Sequence, residues 1–240
     1  AFCQQHGITG AHLLLSSVFY TLSRFANSSD VTLVTISNGR SNISIYNTMG
    51  MFVNTLAMRA KISDEKVLDF IKNTSRTFDD TRSHENYPFA KIAADFDLSA
   101  EIMFAYQMGV MDEYTIGGKQ LLLESLEAQV PKFPIAIFIQ EVNGQPSVQL
   151  EYDDSKYSKD MMQQLAISIV NVTQNMMEHA DAPLTSISLI NAEQLAQLDS
   201  FNDNHVAFDA SQTIVSLFRQ QGEKYRNHTV VVYEDQRFIY

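Results

Sequence analysis

Apolar residues recur at helical spacing in three segments of the chain. In the first, after Thr9, which can act as an N-cap, one face carries Ala11, Leu14, Leu15, Val18, Leu22 and Phe25. In the second, which Ser63 is predicted to cap, the apolar positions are Val67, Leu68, Phe70 and Ile71. The third, residues 158–179, has a stripe of Met162, Leu165, Ile169, Val172 and Met176. A methionine-rich stripe can form a partner groove, but packing against a core is commoner, so we expect three core-facing helices.

Between these helices the pattern changes to that of β-strands. Strands are predicted over residues 31–37, 51–56, 102–107 and 120–123, the last two joined by a loop with Gly117-Gly118. Two more, over residues 134–142 and 146–152, flank Asn143-Gly144, a dipeptide typical of tight hairpins. In the second of these, Val148, Leu150 and Tyr152 alternate with polar residues. Helices and strands together predict an α/β sandwich with a mixed sheet.

The character of the chain changes after residue 184. Ile187 and Leu189 are expected on one side of an extended linker, followed by a short helix that Asn191 caps. Residues 206–240 supply one amphipathic helix and a hairpin that turns at Glu234-Asp235. The sequence therefore predicts three parts: a domain over residues 1–184, a linker over 185–205, and a C-terminal segment over 206–240.

Composition excludes several classes of protein. The 240-residue chain carries a net charge of −11, which argues against nucleic-acid binding, because phosphate neutralisation needs clustered Lys and Arg. Its single cysteine, Cys3, excludes an internal disulfide framework and fits a reducing compartment. No run approaches the roughly 18 apolar residues of a membrane span, and the N-terminus lacks signal-peptide features. We therefore expect a cytoplasmic protein that binds neither nucleic acid nor membrane.

Residues 49–59 read Met-Gly-Met-Phe-Val-Asn-Thr-Leu-Ala-Met-Arg, in which one amide, that of Asn54, interrupts an apolar run. A buried amide needs hydrogen-bond partners. The segment resembles the I-G-x-F-V-N-T-x-x-x-R motif of condensation domains in nonribosomal peptide synthetases, with Met49 in place of Ile. Upstream, a strand leading into Asn38-Gly39-Arg40 resembles the strand and S-G-R turn of that family.

Two further segments extend the comparison. His84-Glu85-Asn86-Tyr87-Pro88-Phe89 is similar to the family's H-Q-D-Y-P-F-E motif. Residues 97–104 stand where the family reads R-D-x-S-R-N-P-L-F, but lack its arginines and its Asn-Pro pair. The resemblance covers roughly residues 1–185 and implies one chloramphenicol-acetyltransferase-like half of a condensation domain.

The reactive centre of that family, an H-H-x-x-x-D-G motif, has no counterpart here. The six histidines, none adjacent to another, are His6, His12, His84, His179, His205 and His228. A group that assists the reacting amine must lie within hydrogen-bond reach of it. The resemblance therefore implies the C-terminal half of a peptide-bond-forming domain, with no catalytic residue of its own and no activity alone.

The resemblance also implies where a substrate would pass. In the family, two such halves form a V, and carrier-bound thioesters enter the tunnel between them from opposite faces. Residues placed near the tunnel are Gly39, Arg40, Gly50, Phe52 and Asn54. The glycines either admit a pantetheine arm or form tight turns, and Arg40 either contacts that arm or caps carbonyls. Residues expected to fix a neighbouring loop are His84, Asn86, Tyr87 and Pro88.

The last part of the chain resembles a different domain. Phe201-Asn202-Asp203-Asn204 is similar to the W-N-x-T segment of condensation–adenylation linkers, and residues 217–240 resemble the opening helix and first strands of an adenylation domain. Both ends fall inside recognisable elements, which indicates a piece of a longer protein.

The resemblance also implies partners, which are the N-terminal half, an adenylation domain, and peptidyl or aminoacyl carrier proteins. No cofactor is implied on this chain, since the phosphopantetheine belongs to the carriers. An epimerisation domain shares the fold, but the F-V-N-T motif and the adenylation start favour condensation. A non-catalytic docking module for an adenylation or carrier domain stays open as an alternative.

Overall fold

The computed structural model describes residues 1–107, 114–121, 130–142, 145–207 and 209–240. The chain divides into two compact units, Ala1–Gln194 and Leu195–Tyr240. The helices are α1 (Phe2–His6), α2 (Gly10–Phe25), α3 (Val67–Ser83), α4 (Phe89–Phe96), α5 (Lys159–Glu178), α6 (Ala192–Phe201) and α7 (Ile214–Lys224). The strands are β1 (Asp30–Ser37), β2 (Asn54–Lys61), β3 (Ile102–Gln107), β4 (Tyr114–Ile116), β5 (Lys119–Leu121), β6 (Ile135–Val142), β7 (Gln145–Tyr152), β8 (Thr229–Tyr233) and β9 (Gln236–Ile239).

The first unit contains a five-stranded mixed sheet with the order β2-β1-β3-β6-β7. Strands β1, β3 and β6 run parallel, while β2 and β7 are antiparallel to their neighbours. The carboxyl ends of the parallel strands therefore meet at one edge, where ligands of open α/β sheets commonly bind. In the β1–β2 pair, Ser37 lies opposite Asn54 at this edge.

Two helices, α2 and α5, cover one face of the sheet. In α2 the buried surface differs from the predicted stripe: Leu13 and Phe19 are buried as well, whereas Phe25 at the end of the helix is exposed. The side chain of Thr9 accepts the N–H of His12 and begins α2, as predicted. In α5 the side chains of the methionine-rich stripe are each no more than 2% exposed, so the prediction of core packing is confirmed. Fully burying one such side chain contributes about 1.5–3 kcal/mol. The alternating residues of β7 pack against the same core, as expected for a half-buried hairpin.

A second, smaller cluster lies within the same unit. It contains Val34, Met103, Ala105 and Ala136, with Phe89, Ala100, Phe133 and Phe138 packed against it. Neighbouring residues of one strand, such as Leu33 and Val34, belong to different clusters. The central strands are therefore buried on both faces, as parallel strands in α/β sheets usually are.

Several predicted boundaries are wrong. Strand β2 begins at Asn54 and not at residue 51, because residues 50–53 belong to a loop in which Met51 is 89% exposed. Helix α3 begins after Lys66, and the hydroxyl of Ser63 instead donates to Glu65. Helix α4, which follows Pro88, was not expected. Strand β5 lies one residue earlier than predicted, and residues 122–123 and Asn143-Gly144 fall outside the described residues.

Residues 184–194 continue the first unit. Leu184 and Ile187 are buried in its core and Leu189 packs against that core, as expected for linker residues that carry apolar side chains on one side. Asn191 accepts the N–H of Gln194, and the Gln194 side chain accepts the N–H of Asn191, which confirms the predicted cap of α6. The boundary between the two units falls within α6.

The second unit combines the rest of α6 with α7 and the β8–β9 hairpin. Thr213 and Ser216 form a capping box at the start of α7. The hairpin turns at Glu234-Asp235, as predicted, with Glu234 at φ 51°. Within the described ranges of the chain, no helix is long and apolar enough to cross a bilayer.

Candidate functional site

A loop over residues 38–53, which joins β1 to β2, lies at the carboxyl edge of the parallel strands. Arg40 organises it from within. Nη1 of Arg40 donates to the carbonyls of Ile45 (2.9 Å), Tyr46 (3.2 Å) and Thr48 (2.8 Å), and Nη2 donates to that of Gly50 (3.1 Å). Of the two expectations for Arg40, the structure shows carbonyl capping.

The side chain of Phe52 completes this arrangement. The guanidinium carbon of Arg40 lies 4.6 Å from the centroid of the Phe52 ring, within the range of a cation–π contact. One guanidinium thus connects four carbonyls and one ring of the same loop, which its planar set of donors makes possible.

Gly39 is required by a close backbone approach. It has φ +63°, and a Cβ at this position would lie 1.8 Å from the carbonyl oxygen of Phe52. Gly50, at φ +153°, faces the Phe52 ring, with 3.2 Å between an added Cβ and Cε2. The group that approaches both glycines is therefore part of this chain, which supports tight turns as their role.

Glu85, two residues beyond the end of α3, anchors the start of the same loop. Its side chain is 2% exposed, and its Oε2 accepts a hydrogen bond from the hydroxyl of Ser37. The Ser37 oxygen in turn accepts the N–H of Gly39 at 3.2 Å. Oε1 of Glu85 is buried and has no hydrogen-bond partner of normal geometry among the described residues.

The carboxyl of Glu85 is held in its ionised form. The hydrogen bond from Ser37 lowers its pKa below the ordinary value, and polar groups of Ser41 and the charge of Arg82 act in the same direction, while burial opposes them. An ionised carboxylate thus ties the end of α3 to the first residues of the loop. The sequence prediction named both neighbours of Glu85 as loop-fixing residues but did not name Glu85 itself.

The other predicted site residues are spread around this anchor. The side chain of Asn54 is half-buried and forms no hydrogen bond within the described part of the chain, although its backbone pairs with Ser37. His84 is exposed, and its Nδ1 lies 2.9 Å from both the carbonyl of Asp80 and the hydroxyl of Ser83. Asn86 and Tyr87 are exposed, and Pro88 is the N-cap of α4.

One motif residue lies far from the loop. Arg59, the last residue of the F-V-N-T segment, sits near the opposite end of the β1–β2 pair. Its Nε and Nη2 donate to the two carboxylate oxygens of Asp30 at 2.8 and 2.5 Å. Both side chains are well exposed, so the pair contributes little to stability.

A cavity of about 390 Å³ opens beside the loop. It is lined by Ile36, Ser37, Asn38, Val53, Leu56, Phe78, Arg82 and Tyr106. These residues come from the carboxyl ends of β1 and β3, the start of β2 and the last turns of α3. Of the predicted site residues, none is itself in the lining, but Gly39 and Asn54 are chain neighbours of residues that are.

His12 is the buried histidine of this unit, and its surroundings are those of a core residue. Its Nδ1 lies 2.8 Å from the hydroxyl of Ser75, and its ring stacks edge-on against Phe78. Burial lowers its pKa, and Asp79 opposes that effect. A histidine sequestered in this way holds α2 to α3.

Comparison with known proteins adds a family. A family model described as "Condensation domain" matches residues 1–198. The chain is 24% identical, over 247 aligned positions, to surfactin synthase subunit 1 of Bacillus subtilis (strain 168), covering 99% of this chain and 7% of that protein. It is 27% identical, over 249 positions, to gramicidin S synthase 2 of Brevibacillus brevis, covering 98% of this chain and 6% of that protein. The chain thus spans only a small part of the length of these relatives.

Solved structures share the fold. A crystal structure of a holo four-domain nonribosomal peptide synthetase bound to AMP and glycine superposes with a TM-score of 0.75 at 18% identity, covering 95% of this chain and 19% of that one. The first condensation domain of the calcium-dependent antibiotic synthetase, in complex with a substrate analogue, gives 0.67 at 16% identity, covering 79% of this chain and 43% of that one. The α/β fold of condensation domains, with a mixed sheet and helices, is therefore the fold of this chain.

Proposed function

The chain belongs to the condensation-domain family of nonribosomal peptide synthetases, and we propose that it is the C-terminal, acceptor-side half of such a domain. The observation that carries this proposal is the structure of the loop over residues 38–53, which lies beside an open cavity. Three residues of the matching motifs hold this loop in shape: Gly39, Arg40 and Glu85. Support also comes from the match to a complete condensation domain, of which this chain covers 43%.

In this proposal the chain supplies a wall and not a reactive group. Arg40 donates to carbonyls of the loop, and Glu85 is buried and bonded to Ser37, so we assign both a structural role and not the transfer of a proton on a substrate. The catalytic histidine would come from the N-terminal half. Peptidyl and aminoacyl carrier proteins would deliver thioesters on phosphopantetheine arms, and this half would bind no cofactor directly.

The proposed parts are a condensation subdomain over residues 1–184, a linker over 185–205 and the start of an adenylation domain over 206–240. A helix followed by a hairpin, α7 with β8 and β9, supports the last of these, because the resemblance implies the same order of elements. The buried side chain of Ile187 supports a linker whose first residues are docked on the subdomain.

The proposal is tested by assaying the chain alone and joined to the sequence that precedes it. Purified chain is mixed with donor- and acceptor-loaded carrier proteins, and products are followed by mass spectrometry. We expect no dipeptide above the uncatalysed rate. In the full-length protein we expect an H-H-x-x-x-D-G motif about 100 to 200 residues before Ala1, roughly one domain length, and dipeptide formation that depends on it. Dipeptide formation by the chain alone would contradict the proposal.

A docking module without chemistry is the second candidate, and the lack of a paired histidine favours it for the isolated chain. Full-length protein without the histidine motif, but with measurable affinity of this chain for a carrier or adenylation domain, would establish it. The two candidate functions thus make opposite predictions about the histidine motif: the full-length sequence contains it if the chain is part of an enzyme and lacks it if the chain is a docking module.

A further inference from the structure

The cavity beside the loop is lined by both apolar and polar side chains. Its volume of about 390 Å³ falls within the range of small-molecule sites. Four of the lining residues are apolar, and they are Ile36, Val53, Leu56 and Phe78. Such walls suit the carbon skeleton of a ligand, while the polar lining groups decide which head group it carries.

Arg82 is the charged residue of this lining. Its guanidinium takes part in no hydrogen bond or ion pair within the described part of the chain, although its charge acts on Glu85. The nearest carboxylate of the loop anchor therefore does not occupy its donors. A guanidinium offers up to five N–H donors in a planar fork that matches carboxylate and phosphate oxygens.

Two further polar residues of the lining, Asn38 and Ser37, are also consistent with an acceptor on the ligand. Oδ1 of Asn38 accepts the N–H of Arg40 at 3.0 Å, which leaves its Nδ2 to donate. The hydroxyl hydrogen of Ser37 is committed to Glu85. The unused groups at Arg82 and Asn38 are thus donors, and a ligand rich in acceptors complements them.

We propose that Arg82 is a specificity-determining residue of this cavity, which selects a small ligand that combines an apolar chain with an anionic group. This inference rests on the proposed function, where two sources share that chemistry: an acidic side chain on a carrier-bound aminoacyl group, and the phosphate of the carrier's own arm. The net charge of −11 disfavours the approach of an anion, and the guanidinium of Arg82 offsets that repulsion locally.

Two matched pairs of probes distinguish the sources. N-acetylglutamate methylamide and N-acetylglutamine methylamide differ in one carboxylate, and 4′-phosphopantetheine and pantetheine differ in one phosphate. Binding to the 240-residue chain is measured by calorimetry and by NMR line broadening of the probe at low salt. We expect one anionic probe to bind at least about tenfold more tightly than its neutral partner, with the preference weakening as salt is added.

Variants of the arginine decide its role. Arg82→Gln should reduce affinity for the preferred anion about tenfold and leave the neutral partner unchanged, while Arg82→Lys keeps part of the preference. Arg76→Gln, on the same helix but bonded to Asn73 and outside the cavity, should change neither. Thermal melts verify that each variant folds.

Equal affinity for the charged and neutral members of both pairs, an unchanged preference in Arg82→Gln, or no saturable binding of any probe would each overturn the inference. The outcome is separable from that of the proposed function. Peptide-bond formation by the full-length protein without anion preference leaves the proposed function intact and removes the role of Arg82. Anion preference without peptide-bond formation keeps the role of Arg82 and contradicts the proposed function.

Discussion

Replacing Glu85 tests how the loop over residues 38–53 is held. In Glu85→Ala, the buried hydroxyl of Ser37 loses its acceptor, at a cost of about 1–3 kcal/mol. Loss of one buried methylene, Cγ, adds about 0.8 kcal/mol. Removing the buried Oε1, which has no hydrogen bond of normal geometry, returns about 1–2 kcal/mol. The expected net loss in free energy of unfolding is therefore about 1–2 kcal/mol at neutral pH.

Glu85→Gln isolates the charge. Gln keeps an acceptor for Ser37, but it either presents an amide donor to Ser41, whose hydroxyl and N–H donate toward the wild-type carboxylate, or gives up the charge that these donors favour. Stability at pH 7 should therefore fall by about 1–2 kcal/mol. The pH dependence should differ more. Because the folded state lowers the pKa of Glu85 from 4.5, its ionisation stabilises the fold above that pH. The contribution is lost as pH falls through the lower, folded-state pKa, so the wild type should lose stability relative to Glu85→Gln below about pH 4.5.

Urea unfolding at several pH values between 7 and 3 provides the assay, followed by circular dichroism or by tyrosine fluorescence, since the chain has ten tyrosines and no tryptophan. Other carboxylates contribute to acid unfolding, but they are common to wild type and variant and cancel in the difference. Glu101→Gln is the matched control, because Glu101 also accepts a serine hydroxyl, that of Ser99 at 2.8 Å, but on the surface. A wild-type and Glu85→Gln difference that is flat with pH, or an Ala variant as stable as the wild type, would refute the role of Glu85.

Three further outcomes are expected. Gly39→Ala should lower the free energy of unfolding by about 1–3 kcal/mol, because the added Cβ would overlap the Phe52 carbonyl. The control is Gly117→Ala, which has a similar φ of +58° but open space around it, and it should lose less. Equal losses in thermal melts would show that the backbone φ, and not the contact with Phe52, is responsible. Asn54→Ala should change the free energy of unfolding by less than about 0.5 kcal/mol, since its side chain has no hydrogen bond within the described residues. If the same variant slows condensation in the complete domain, the amide contacts the substrate. Limited proteolysis should cut first near residues 203–207, which carry no helix or strand, and early cleavage within α5 would contradict that order.

The elements that sequence predicted well are those with a long, unbroken period. Helix α5 has five apolar positions at spacings of three and four, and its predicted ends match the N-cap at Ser158 and the C-cap at His179. The β6–β7 pair follows from alternation and from a turn dipeptide between the strands. In both cases one periodic pattern extends over many residues, so one polar residue at an apolar position would not change the predicted element type.

Where the prediction was wrong, the local pattern and the tertiary contacts disagree. Residues 51–53 are apolar, and sequence extended β2 backwards into them, but Arg40 binds the carbonyls just before them and holds them in the loop. Residues Arg59 and Lys61 are charged, and yet they belong to β2, because they alternate with the buried Met58 and Ala60. An arginine that binds carbonyls five to ten residues away leaves no periodic trace in the sequence.

Glu85 was missed for a related reason. A charged residue between two polar ones is usually solvated, and nothing within its own segment shows that it packs against the end of β1, 48 positions away. The signal that could have found it is its place in the motif, where the related family has glutamine and the next position is acidic. Here the acid stands at the buried position 85 and the amide at the exposed position 86.

The motif residues and the cavity residues therefore carry different constraints. Gly39, Arg40 and Glu85 act on the backbone of their own loop, through a close approach, four carbonyls and one hydroxyl. Changing any of them should displace the loop whatever the substrate is. Arg82 presents donors that the loop does not use, and a change there should alter the choice of ligand while the fold stays intact.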